Sequence, residues 1–62
     1  MSAALEFETQ IDGEQVKGWV VKDGRSYRAY GAFRGEWIEA RCTTQSGATS
    51  KWREKANHKA NE

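Results

Sequence analysis

The chain has 62 residues, ten Lys and Arg against nine Asp and Glu, and no proline. That length admits one domain and one small core, and 37% hydrophobic against 31% charged residues keeps the core thin and excludes a large buried pocket. A net charge of +1 excludes a global pull toward polyanions, so any basic patch must be local.

Three dipeptides set the spacing of the first two thirds: Asp12-Gly13, Asp23-Gly24 and Arg34-Gly35, eleven residues apart. Read as two-residue hairpin turns, they separate antiparallel strands of about seven residues, because tight turns of this kind need positive φ at their central residues. The Arg-Gly turn carries the weaker signal and admits a longer loop with a bulge. Directly opposed residues share a sheet face, so the turns predict register. The first sets Leu5 opposite Val20, Phe7 opposite Gly18 and Glu8 opposite Lys17. The second sets Val20 opposite Tyr27, Trp19 opposite Arg28, Gly18 opposite Ala29 and Lys17 opposite Tyr30. From the third follow Gly31 opposite Ile38, Ala29 opposite Ala40, Arg28 opposite Arg41 and Tyr27 opposite Cys42.

All three turns sort the side chains the same way. One face collects Leu5, Phe7, Thr9, Val16, Gly18, Val20, Tyr27, Ala29, Gly31, Phe33, Ile38, Ala40 and Cys42, with a small-residue row at Gly18, Ala29 and Ala40. The other collects Glu6, Glu8, Lys17, Trp19, Val21, Arg28, Tyr30, Trp37, Glu39 and Arg41. One core face and one wet face are expected of an antiparallel sheet covered on one side.

The cover is the final segment "TTQSGATSKWREKANHKANE", where Thr44 or Ser46 serves as N-cap and Ala48, Trp52, Ala56 and Ala60 form a narrow apolar stripe. An alanine stripe requires close backbone approach, with Trp52 as the main filler. The expected fold is α+β: a small antiparallel β-meander of three to four strands with one C-terminal α-helix packed on one sheet face. The whole chain, 1–62, is one domain, with residues 1–4 and about 59–62 expected to fray.

Catalytic chemistry finds few carriers. His58 is the only histidine and lies in a polar segment without a ligand partner at metal spacing, so no metal or cofactor is expected. Cys42, the only cysteine, excludes an internal disulfide, fits a reducing compartment, and falls on the core face, where packing explains it. Ser46, Ser50, Thr43 and Thr44 read as cap and turn residues without a partner base, and a thin sheet gives Glu6, Glu8, Glu36 and Glu39 no pocket. Lys51, Arg53, Lys55 and Lys59 form the solvated side of the helix. No run approaches the length of a membrane span and "MSAALEFE" lacks the basic and apolar regions of a leader, so a cytoplasmic protein without a membrane partner or small-molecule substrate is expected.

What remains is the wet face, where Trp19, Tyr30 and Trp37 project among Lys17, Arg28 and Arg41. The register predicts cation–π pairs of Trp19 with Arg28 and of Tyr30 with Lys17. The stretch "KDGRSYRAYG", followed by a Gly turn, another strand and "TTQSGATSKWREKA", resembles the arm-type DNA-binding domains of phage and transposon integrases and the related domain of plant ethylene-response factors. Those families lay the open face of a three-stranded, helix-backed sheet in the major groove. The resemblance spans 16 to about 58 and implies base or phosphate contacts for Arg28 and Arg41, backbone contacts for Lys17 and Arg34, and stacking for Trp19, Tyr30 and Trp37. An additional first strand departs from the pattern, as does Gly47, which stands where those helices commonly start with an acidic residue.

Three positive charges on this face, Lys17, Arg28 and Arg41, meet three negative ones, Glu6, Glu8 and Glu39. Duplex binding relies on phosphate neutralisation, which this balance limits to a strip from Lys17 through Arg28 to Arg41 with Arg34 at its tip. The sequence therefore predicts a non-catalytic binding module. Its partner is DNA through the open face, or alternatively another protein or a second copy using the same residues, since Trp, Tyr and Arg are the types enriched at interface hot spots. A monomer or weak homodimer is expected.

Overall fold

The computed structural model describes residues 4–61. Four strands, β1 (Leu5–Ile11), β2 (Glu14–Asp23), β3 (Ser26–Phe33) and β4 (Glu36–Cys42), form an antiparallel sheet in the order β1-β2-β3-β4, followed by helix α1 (Gln45–Ala60). This is the small α+β meander with one helix on one face that the turn spacing predicts. Asp12 and Gly13 adopt φ of 53° and 78°, and Arg34 and Gly35 adopt 52° and 81°, so both dipeptides form the two-residue loops in which each central residue is left-handed. Registers β1–β2 and β3–β4 are those expected from these turns.

The middle hairpin differs. Asp23 pairs with Ser26, so the loop is Gly24-Arg25, with Gly24 at φ 65°, the conformation required at the first central position of a type II′ turn. Asp23-Gly24 is not the turn dipeptide, and the register moves by two residues: Val20 opposes Ala29, Trp19 opposes Tyr30 and Lys22 opposes Tyr27. A shift of two preserves the faces, because side chains alternate with period two. It does change who meets whom. The small-residue row becomes Ala29 and Ala40 beside Val20, while Gly18 lies against Gly31.

The core consists of Ile11, Val16, Val20, Ala29, Phe33, Ile38, Ala40, Ala48, Trp52 and Ala56, with Phe7, Tyr27, Cys42 and Ala60 packed at its margin. Ile11, absent from the expected core set, is fully buried where β1 meets its turn. Leu5, expected inside, is 55% exposed. The physical reason is width: four strands at ~4.8 Å spacing outspan one helix ~10 Å across. Helix α1 lies mainly on β4 and β3 and leaves the outer end of β1 uncovered.

Trp52 fills the space between the layers. It is fully buried, its indole N–H donates to the Ile38 carbonyl at 3.0 Å, and Phe7 meets it edge-on at 5.4 Å. The helix can come this close because its neighbours on the stripe, Ala48 and Ala56, are alanines. Below the indole, Gly31 leaves only tight room for a methyl, which would lie 3.1 Å from both Trp52 Cζ2 and the Lys17 carbonyl oxygen.

Thr44 is the N-cap, accepting from the Gly47 N–H at 3.0 Å, and His58 and Lys59 occupy the last turn, where positive charge complements the helix dipole. Gly47 is small because any side chain there would strike Cys42 Sγ and Thr44 Oγ1. Helix α1 is regular through Ala60, and Lys59 pairs with Glu36. Ala4 precedes the first strand, and the rest of the expected frayed ends, 1–3 and 62, lies outside the described residues.

Replacing Gly31 by Ala forces either Trp52 or the β2 backbone to move. We expect Gly31→Ala to lose about 1–3 kcal/mol, as overpacked cores do, read as a lower urea midpoint at unchanged m-value. An unchanged midpoint would show that the indole is not clamped between sheet and helix.

Candidate interaction surface

Side-chain alternation puts Trp19 of β2, Tyr30 of β3 and Trp37 of β4 on the sheet face that the helix does not cover. The shifted register sets Trp19 directly across from Tyr30, and Trp37, opposite Ala32, lies diagonal to Tyr30. The rings stack as a ladder, with centroids 6.2 Å apart for Trp19 and Tyr30 and 5.5 Å apart for Tyr30 and Trp37, interplanar angles being 20° and 29°. The expected pairs of Trp19 with Arg28 and of Tyr30 with Lys17 are not those formed. Arg28 instead places its guanidinium 5.5 Å from the Tyr30 ring centre.

Glu39 ties the cluster together. One carboxylate oxygen accepts from the Trp37 indole N–H at 3.2 Å, and the other lies 3.5 Å from Arg28. Trp37, 61% exposed, is therefore held in place from two sides, by the Tyr30 ring and by its own N–H. Glu39 was not among the candidate binding residues. Its signal was present, since it sits two residues from Trp37 on the same face and the last turn opposes it to Tyr30.

Of the residues proposed from sequence, the structure brings Trp19, Arg28, Tyr30 and Trp37 into one cluster. Arg41 stands at the far end, 3.7 Å from Asp23. Arg34 lies at the opposite end, in a turn, where it joins two hairpins by reaching Asp12 at 3.4 Å and Glu14 at 3.6 Å while covering the Phe33 ring. Lys17 opposes Glu8 on the β1 side. Each of the three arginines thus faces a carboxylate. Surface pairs of this kind contribute little stability, roughly 0–1 kcal/mol each, but they neutralise the strip that would meet phosphates.

Two grooves border the ladder. One, about 460 Å³, runs between β4 and α1 beside Trp37 and Ile38, with Glu54, Lys55 and His58 along the helix side. The other, about 300 Å³, lies beside Trp19, lined by Lys17, Ala32, Phe33 and Arg34. Among the described residues, no group of three His, Cys, Asp or Glu is placed to hold a metal ion, and no helix is long and apolar enough to cross a membrane.

Cys42 is half-buried at the end of β4, on the core side as expected. Hydrogen bonding from the Thr44 backbone amide is the largest influence on its thiol and lowers its pKa; partial burial raises it; the Thr43 amide, the Lys51 charge and the Thr44 side chain lower it further. The net shift is below the ordinary thiol value.

Comparison of the chain with protein-family models, with curated proteins and with solved structures finds no match.

Because the thiolate is the nucleophile, a lowered thiol pKa raises its fraction at any pH below the ordinary value. Alkylation of Cys42 by iodoacetamide should reach its half-maximal rate at a lower pH in the folded chain than in the same chain in urea. A midpoint equal to or above that of the unfolded chain would mean that burial outweighs the Thr44 and Thr43 amides.

Proposed function

We propose that this chain is a non-catalytic protein-interaction module that receives its partner on the open sheet face, with Trp19, Tyr30 and Trp37 at the centre of the contact. The observation that carries this reading is the stacked ladder of three rings left uncovered by the helix, locked at one end by the Trp37 to Glu39 hydrogen bond. A rigid, exposed tryptophan loses little conformational entropy on binding, and Trp, Tyr and Arg dominate interface hot spots. Arg28 and Arg41 form the polar rim, with Lys17 and Arg34 at the margins.

Ion pairing favours a protein over DNA as the partner. A duplex would have to draw Arg28, Arg34 and Arg41 away from Glu39, Asp12, Glu14 and Asp23, exchanging existing pairs for phosphates with little net gain of charge neutralisation. A protein surface can use the rings directly and meet both signs of charge at the rim.

The double variant W19S/W37S tests this reading. It should remain folded, since both rings lie outside the core, and lose about 30-fold or more in affinity for a partner captured by the parent chain, at 0.15 M and at 0.5 M salt alike. Unfolding of the variant would place the rings among the structural residues. A companion titration with mixed-sequence duplex DNA, followed by amide shifts, should leave the spectrum unchanged at physiological salt. Shifts at Lys17, Arg28 and Arg41 that fade as salt rises would transfer the surface to nucleic acid.

A further inference from the structure

The two edges of the sheet are finished differently. In an antiparallel hairpin with a two-residue loop, every second residue of an edge strand turns its backbone N–H and C=O away from the neighbouring strand. On β4 these are Trp37, Glu39 and Arg41, and the carbonyl of Glu39 is already taken by the Lys55 ammonium at 2.8 Å. On β1 they are Glu6, Glu8 and Gln10, and among the described residues no helix side chain reaches them. One edge carries a helix side chain at its centre, and the other carries none among the described residues.

The chemistry beside the open edge is specific. On the core side of β1, Leu5 is 55% exposed and Phe7 only partly covered, because α1 lies toward β4. On the opposite side, Glu6 and Glu8 are exposed and form no ion pair among the described residues, Glu8 accepting a hydrogen bond from Gln15 instead. An apolar shelf on one side and two exposed carboxylates on the other, Glu8 with Gln15 and Lys17 as neighbours, alternate along the same seven residues.

We propose that β1 is a strand-addition site for an extended segment of another protein whose side chains alternate basic and apolar. Its backbone pairs with Glu6, Glu8 and Gln10, its Lys or Arg residues lie across from Glu6 and Glu8, and its apolar residues extend the core beside Leu5 and Phe7. Main-chain pairing supplies affinity and the alternating side chains supply selectivity. A second copy of this chain is disfavoured as the occupant. Antiparallel registers centred on Phe7 or Glu8 would oppose Glu6 to Glu8, or Glu8 to itself, and like charges directly opposed are destabilising. The site adjoins the aromatic ladder, since Glu6 lies directly across from Trp19.

The test uses the full chain and three labelled seven-residue peptides: arginine alternating with valine, glutamate alternating with valine, and the first peptide with the backbone nitrogen of each arginine methylated. The arginine-valine peptide should bind saturably, slow hydrogen exchange at the Glu6, Glu8 and Gln10 amides, and leave Glu39 and Arg41 unchanged. The other two should not bind, since one repels the edge and the other lacks the N–H donors that face Glu6, Glu8 and Gln10. E6Q/E8Q should stay folded and bind the arginine-valine peptide about 3- to 30-fold more weakly. Equal binding of the N-methylated peptide, protection at Glu39 and Arg41 instead of β1, or no binding at millimolar peptide would overturn the proposal. So would an E6Q/E8Q chain that self-associates through β1 with undiminished peptide affinity, because the carboxylates would then serve only to keep the edge single.

Discussion

One indole holds the two layers together. Burying Trp52 removes about 200 Å² of side-chain surface from water, worth roughly 4–6 kcal/mol, a large share of what a domain of this size can have. That burial needs the helix close to the sheet, and closeness dictates residue size around it. Ala48 and Ala56 flank the indole on the helix, Gly31 lies beneath it, and Phe7 closes the side. Its N–H, which could not be left unpaired in the interior, finds the Ile38 carbonyl. The same close approach brings Lys55 to the Glu39 carbonyl at the centre of the β4 edge. A helix drawn onto β4 and β3 cannot also reach across to Leu5, which explains the contrast between the edges.

With the core volume spent on one side, the opposite face must stabilise itself. Its rings have no second layer to pack against and stack on one another, while its arginines turn to nearby carboxylates. Each contact is worth only roughly 0.2–1 kcal/mol, and together they link rings and charges across three strands. A surface whose side chains already contact one another would have less to order on meeting the proposed partner. The residues that stabilise this face are thus the ones proposed for recognition, and Glu39 joins Arg28 to Trp37 among them.

Much of this organisation can be read without coordinates. Glycine at Gly13 and Gly35 follows from turns that need positive φ, and strict alternation between them assigns Trp19, Tyr30 and Trp37 to one face and Val20, Ala29, Phe33, Ile38 and Ala40 to the other. The alanine spacing with Trp52 identifies the buried stripe of the helix, and Thr44 marks its start. These are local consequences of backbone geometry, so the sequence by itself determined the fold class, the faces and the membership of the aromatic cluster.

Tertiary structure decided the pairings. Gly24 satisfies a turn as either the second or the first central residue, and the dipeptide alone does not distinguish them; the chosen Gly24-Arg25 loop stacks Trp19 on Tyr30 and brings Gly18 against Gly31 under the helix. Faces survived that choice because it moves the strand by two residues, whereas the expected cation–π partners did not. Nor does any pattern along the chain state which strands a single helix will cover. That depends on the width of the sheet relative to the helix and on where Trp52 finds its glycine floor, and it is why Leu5 lies exposed and Ile11 buried on the same strand.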